Sequence, residues 1–204
     1  MKKYNGRVPW LLFFMLWILG GCSQPVANLD SNGETIVCFG DSLTAGKGAL
    51  QNESYPALLG AKVKEKVINA GVSGETSANA LKRIEKDVFS YHPRIVIVEF
   101  GGNDFLHQIP REETFRNIDQ ILKIIQKHGS MAVLATVKTG IFGDAYSERF
   151  KEIARERKAL LITHILIGIL DHPEFKSDEI HPNVEGYRKM AERIYQHLKP
   201  LLNK

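Results

Sequence analysis

Three side chains in this sequence have the types and spacing for nucleophilic catalysis: Ser42 in GDSLTAG, with Asp178 and His181 in DEIHP. A serine hydroxyl attacks a carbonyl carbon poorly until an imidazole takes its proton. That imidazole works best when a carboxylate fixes its tautomer and stabilises its charge. Asp178 and His181 stand three residues apart at the entry to a helical stretch. One turn of chain can therefore bring the carboxylate to Nδ1 and leave Nε2 free to face Ser42. His172 is the rival base, but its acid, Asp171, is its immediate neighbour, and adjacent side chains tend to point apart. His164 lies in an apolar run and reads as a core residue.

A tetrahedral intermediate also needs hydrogen-bond donors for its oxyanion. Gly74 lets a backbone N–H approach a ligand without an intervening Cβ, and Asn103 offers an uncharged amide. Taken singly, Gly74 also serves to open a turn and Asn103 to cap a helix; their value is joint. Ser42 has two other readings. It can cap the following helix, which is compatible with a chemical role. The alternative, a phosphate-binding loop, fails by count: five residues separate Gly40 from Gly46 where a Walker loop has four, and Gly48 follows Lys47 where Ser or Thr is required. No GxGxxG is present for a dinucleotide.

These residues fall on turns after apolar runs at 35–39, 66–70, 94–100, 131–137 and 159–165. The runs are rich in Val, Ile and Leu without clean alternation, as expected of strands buried on both faces. Between them, Leu81, Ile84 and Val88 recur at helical spacing, as do Phe115, Ile118, Leu122 and Ile125, then Tyr146, Phe150 and Ile153. A last helix is expected from about Asn183, carrying Tyr187, Met190, Ile194, Leu198 and Leu201 on one face and ending at Pro200. The pattern predicts a three-layer α/β fold with a five-stranded parallel sheet between helices, in one domain over 34–204. In such sheets ligands sit beyond the carboxyl ends of the strands, where Ser42, Gly74 and Asn103 are placed.

The N-terminus is different in kind. Residues 1–21 join a basic start, the apolar run VPWLLFFMLWIL and small residues before Cys22, the pattern of an export signal. That run is too short to span a bilayer, which takes about 20 apolar residues. LGGC resembles a bacterial lipobox, which implies cleavage before Cys22, diacylglycerol on its thiol and a polar tether over 22–33. Ser23 rather than aspartate at the next position implies outer-membrane sorting in a Gram-negative host. The formal charge of +4 falls to +1 without Lys2, Lys3 and Arg7, so the basicity belongs to the signal and nothing points to nucleic acid.

Four blocks in order, GDSLTAG, NAGVSGETS, VEFGGND and DEIHP, make the chain from 35 to 203 resemble the SGNH or GDSL hydrolases. Within that family it is similar to periplasmic acyl thioesterases and lysophospholipases, often called arylesterases. The resemblance implies a flavodoxin-like sheet and hydrolysis of acyl esters or thioesters without metal or cofactor. Ser42 would attack, His181 act as base and Asp178 orient it, with Ser42 N–H, Gly74 and Asn103 holding the oxyanion. Asp41 and Asp104 are expected to be structural. Phe105, Leu106, Ile109, Ile141 and Phe142 are candidates to line an acyl groove. An anchored enzyme of the cell envelope acting on acyl esters, thioesters or lysophospholipids is the expectation. A carbohydrate O-acetylesterase of envelope glycans and a non-catalytic envelope-binding lipoprotein are the alternatives.

Overall fold

The computed structural model describes residues 25–137 and 143–202. Five parallel strands form one sheet: β1 (Thr35–Gly40), β2 (Lys66–Gly71), β3 (Pro93–Glu99), β4 (Met131–Ala135) and β5 (Leu160–Ile162), in spatial order β2-β1-β3-β4-β5. The helices are α1 (Ser42–Ala45), α2 (Tyr55–Gly60), α3 (Ser77–Asp87), α4 (Gly102–Leu106), α5 (Arg111–Lys127), α6 (Gly143–Glu156) and α7 (Val184–Leu202).

The period-two alternation of a strand sorts its side chains between two cores. Val37 and Phe39 of β1, Val96 and Val98 of β3, and Ala132 and Leu134 of β4 face the stripes of α3, α5 and α6. Ile36, Cys38, Ile95, Ile97, Met131 and Val133 face Tyr55 and Leu59 of α2 and the α7 stripe of Tyr187, Met190, Ile194 and Leu198. Both faces of the sheet are thereby dry, which is why these strands read as unbroken apolar runs.

Three expectations are corrected. β5 is three residues long, not seven: the chain leaves the sheet after Ile162, and His164 takes a left-handed conformation (φ 55°) at a half-buried position. β4 likewise stops at Ala135. Helix α7 does not end at Pro200 but runs to Leu202, because a proline in the final turn removes only its own N–H bond to the carbonyl four residues back.

Of the span 22–33, residues 26–29 are attached to the body. Ala27 N–H donates to the Lys158 carbonyl (2.8 Å), the Asn28 side-chain amide donates to the carbonyls of Gln126 and Ser130, and Val26 and Leu29 pack on the second core. Ser130 and Lys158 lie just before the amino ends of β4 and β5, and Gln126 in the last turn of α5 that leads into β4, so this segment docks on the rim opposite Ser42.

Candidate active site

The chain leaves β1 in one direction to build β2 and returns on the other side to build β3, so the carboxyl ends of β1 and β3 flank a topological switch point. Gly40, the last residue of β1, has no room for a side chain: a Cβ would lie 2.1 Å from Thr44 Oγ1 and 2.7 Å from the Glu99 carbonyl. This close approach lets α1 begin directly on the strand end. Asp41 caps α1, its Oδ1 accepting the Leu43 N–H at 3.0 Å, and Ser42 becomes the first helical residue, on the rim.

His181 reaches the same point from the other end of the chain. It is 4% exposed, and its Nε2 lies 2.9 Å from Ser42 Oγ. Its Nδ1 lies 2.9 and 2.8 Å from the two carboxylate oxygens of Asp178. A carboxylate can only accept there, so Nδ1 carries the hydrogen and Nε2 presents a lone pair to the Ser42 hydroxyl. The hairpin holding this pair is stitched by Ser177 N–H to the His181 carbonyl (2.9 Å) and by an antiparallel bridge between Lys176 and Pro182. Asn183 then starts α7, accepting N–H bonds from Glu185 and Gly186.

Asp178 is built to stay ionised. Desolvation acts to raise its pKa, but the N–H groups of Ile180 and His181 and the imidazole outweigh it and hold the carboxyl at about 2. The same aspartate-to-histidine spacing relates Asp104 to His107, with a different outcome. There the carboxylate is buried and bonded to Ser77 N–H and Oγ, while the imidazole is exposed. His172 is exposed, beside Glu174 and remote in contact from Ser42.

Asn103 lines the cleft above Ser42, its Nδ2 donating to Asp41 Oδ2 (3.0 Å) and to the Glu75 carbonyl (3.1 Å). Glu75 is itself clamped by the Arg83 guanidinium, and the Ser77 contacts hold Asp104 on the next residue of α4. Gly74 stands exposed on the adjoining turn at φ +79°, a left-handed conformation that favours glycine; it does not line the cleft. Phe105 and Leu106 do line it. Ile109 instead lines a neighbouring shallow cleft that shares Phe105 and Leu106. Ile141, Phe142 and Cys22 lie outside the described residues.

The cleft holds about 580 Å³ of space open to solvent. Its walls are completed by residues that the sequence did not single out: Leu43, Val137, Leu166 and Leu170, with Ile180 at the mouth. Glu99 was also missed. It ends β3, is 1% exposed, accepts from Thr44 Oγ1 (3.2 Å) and lines the cleft together with Asp41. Burial raises its pKa well above the carboxylate range and lifts Asp41 to about 6. Its one sequence signal is an acid closing an otherwise apolar strand.

A parallel α/β sheet with a hydroxyl, an imidazole and a carboxylate in line at its switch point is the architecture of a serine-type hydrolase. Residues 38–189 match the GDSL-like lipase/acylhydrolase family, and the chain belongs to it, as an enzyme of the ester-hydrolase type. It is 28% identical to the thioesterase 1/protease 1/lysophospholipase L1 of Escherichia coli K12, over all of this chain and 99% of that one. It is 29% identical to an arylesterase of Vibrio mimicus, with 81% and 88% covered. Among solved structures, the TesA crystal structure superposes with a TM-score of 0.76 at 27% identity, covering 82% of this chain and 99% of that one. The esterase EstA of Pseudoalteromonas, inhibited by monoethylphosphonate, gives 0.75 at 29%, covering 84% and 100%.

Proposed function

We propose that this protein hydrolyses acyl esters and thioesters through Ser42, His181 and Asp178. The observation that carries this reading is the unbroken line from Ser42 Oγ through both imidazole nitrogens to an ionised carboxylate. Nε2 takes the hydroxyl proton as Oγ bonds to the carbonyl carbon. We assign the oxyanion to Ser42 N–H, Gly74 N–H and the Asn103 amide. Gly74 stands off the cleft and both Asn103 N–H groups are taken by Asp41 and the Glu75 carbonyl, so these two must turn to the substrate as it binds. Each such donor is worth about 10²- to 10³-fold in rate. Imidazolium, stabilised by Asp178, returns the proton to the leaving alcohol or thiol, and an acyl-Ser42 remains. Water activated by the same Nε2 then releases the carboxylic acid and restores the hydroxyl.

The apolar walls of the cleft favour an acyl chain over an acetyl group on a sugar. Relatives named thioesterase, lysophospholipase and arylesterase support the same substrate class. A fluorophosphonate probe tests the mechanism: wild type should be labelled on Ser42, and Ser42→Ala and His181→Ala should lose labelling and at least about 10³-fold in kcat. Equal turnover by the alanine variants would refute it. With p-nitrophenyl esters from acetate to palmitate, preference for medium or long chains is expected. Activity confined to acetate would support the O-acetylesterase reading.

We further propose that residues 1–21 are removed and Cys22 is acylated, placing the enzyme on a membrane of the cell envelope. A relative named as a lipoprotein of Bacillus subtilis, 29% identical over 168 residues, supports this placement. Because Ala27 and Asn28 are bonded to the rim opposite Ser42, at most a few residues would separate the acyl chains from the folded body. Detergent-phase partition of the mature protein should be lost in Cys22→Ser.

A further inference from the structure

Behind Ser42 two carboxyl groups meet away from water. Asp41 is 3% exposed and Glu99 is 1% exposed, both line one cleft, and Gly40, the neighbour of Asp41, pairs with Glu99 across β1 and β3. Two carboxylates side by side away from water repel each other, and a hydrogen bond between them can form only when one of the two carries a proton. Asp41 Oδ1 accepts from Leu43 N–H, fixing the turn that presents Ser42, and Asp41 Oδ2 accepts from the Asn103 amide. Glu99 Oε2 accepts from Thr44 Oγ1 (3.2 Å), and Thr44 Oγ1 lies 3.2 Å from the Tyr55 hydroxyl. Both acids also line the cleft, on the side where the oxyanion would form.

We propose that Asp41 and Glu99 act as a one-proton positioning pair for the hydrolysis, and that the enzyme turns over only while Glu99 keeps the proton it gives to Asp41. This rests on the reading of Ser42 as nucleophile and Asn103 as oxyanion donor. With one proton between them, the pair carries a single negative charge, spent on the Leu43 N–H and the Asn103 amide. Loss of that proton puts two negative charges side by side in a dry site, beside the position where a third develops in the transition state. It also breaks the Asp41–Glu99 bond, and Asp41 is then free to pull Asn103 and the Ser42 turn out of register.

Among the described residues, no lysine or arginine is bonded to the pair. The pair is faced by Cys38 from β1, Tyr55 from α2, Asp104 from α4, Tyr187 from α7 and His181. Burial pushes the Cys38 thiol up to about 12 and both phenols above their usual range, so these three stay neutral. Asp104 is bonded to Ser77. The Arg83 guanidinium, which reaches the Gly40 carbonyl (3.5 Å), is taken by Glu75 and Asp87. His181 contributes a positive charge only when protonated, and then lowers the Asp41 pKa. Burial, the first cause for both acids, therefore favours keeping the proton.

The test is the full-length enzyme with Glu99→Gln and Glu99→Ala, assayed for kcat and KM on a soluble p-nitrophenyl ester across pH. Gln keeps a neutral donor toward Asp41 and cannot ionise. Glu99→Gln should retain kcat within about threefold at neutral pH, and the alkaline fall of kcat shown by wild type should be absent from it. Glu99→Ala should lose about 10- to 100-fold in kcat with little change in KM. The infrared band of a buried protonated carboxyl should be present in wild type and missing from Glu99→Gln, a readout that does not depend on how Glu99→Ala folds. Coincident pH profiles for wild type and Glu99→Gln, or no such band in wild type, would overturn the proposal. Failure of the fluorophosphonate probe to label wild type would instead overturn the nucleophile reading, so the two failures are distinguishable.

Discussion

Ser42 stands between two acidic systems that the same chemistry has driven in opposite directions. Asp178, with 46% of its side chain exposed, is surrounded by donors: two backbone N–H groups and an imidazole. Asp41 and Glu99 are buried at the neighbouring ends of β1 and β3. The first is held at about 2 and the second system is raised by burial, Asp41 to about 6 and Glu99 well above its ordinary value. A carboxyl group's charge is thus decided by what points at it, not by its residue type. On the proposed mechanism the ionised acid stabilises imidazolium, and the pair that we propose shares one proton keeps a second negative charge away from the nascent oxyanion. Exchanging the two environments would defeat both tasks.

The largest expected effect separates the two in activity. Asp178→Asn removes the charge that stabilises imidazolium and lets the amide present N–H to Nδ1, favouring the wrong tautomer; kcat should fall by about 10²- to 10³-fold. Asp41→Asn keeps a capping oxygen for Leu43 N–H but loses the charged acceptor for Asn103, and a fall nearer tenfold is expected. Steady-state kinetics on one soluble ester checks both. A larger loss at residue 41 than at residue 178 would invert the assignment of roles.

Stability against pH should show the opposition next, with reversed signs. Asp41 has its folded pKa raised from 3.8 to about 6, so its contribution is fully present below about pH 4 and is lost as pH rises toward 6. Burial of this pair makes the loss roughly 1–3 kcal/mol. Calorimetric Tm should therefore decline between pH 4 and 6 in wild type more steeply than in Asp41→Asn. Parallel slopes would mean that the carboxyl is not held neutral in the folded state.

The comparison also marks what was legible in the sequence. Asp178 could be found because its partner is three residues away, and a local spacing is visible in a string of letters. The strands were legible because burial on both faces leaves long apolar runs, and the five were located with errors confined to ends. Those errors were tertiary: β5 stops at Ile162 because pairing with β4 does, and α7 passes Pro200 because a helix end tolerates one missing N–H. Glu99 is 58 positions from Asp41, and their pairing appears only once β1 and β3 align Gly40 against Glu99. The cleft walls Val137, Leu166 and Leu170 come from irregular chain after β4 and β5, where no periodicity marks a face. Asn103 was legible as a polar residue on the right turn, but not its tie to Asp41.

The smallest effect lies at the acid end and belongs to Asp178. Its folded pKa is lowered from 3.8 to about 2, so the stability it contributes is present above about pH 4 and is lost as pH falls through 2. Nearly half of the side chain meets solvent, and screening reduces the contribution to below about 1 kcal/mol. Between pH 4 and 2, wild type should lose slightly more Tm than Asp178→Asn, by no more than a few degrees. A loss as steep as that assigned to Asp41 would show that Asp178 is far more enclosed in solution than its exposure indicates. The contrast between the two acid systems would then narrow to a difference in partners, two N–H groups and an imidazole against a second acid.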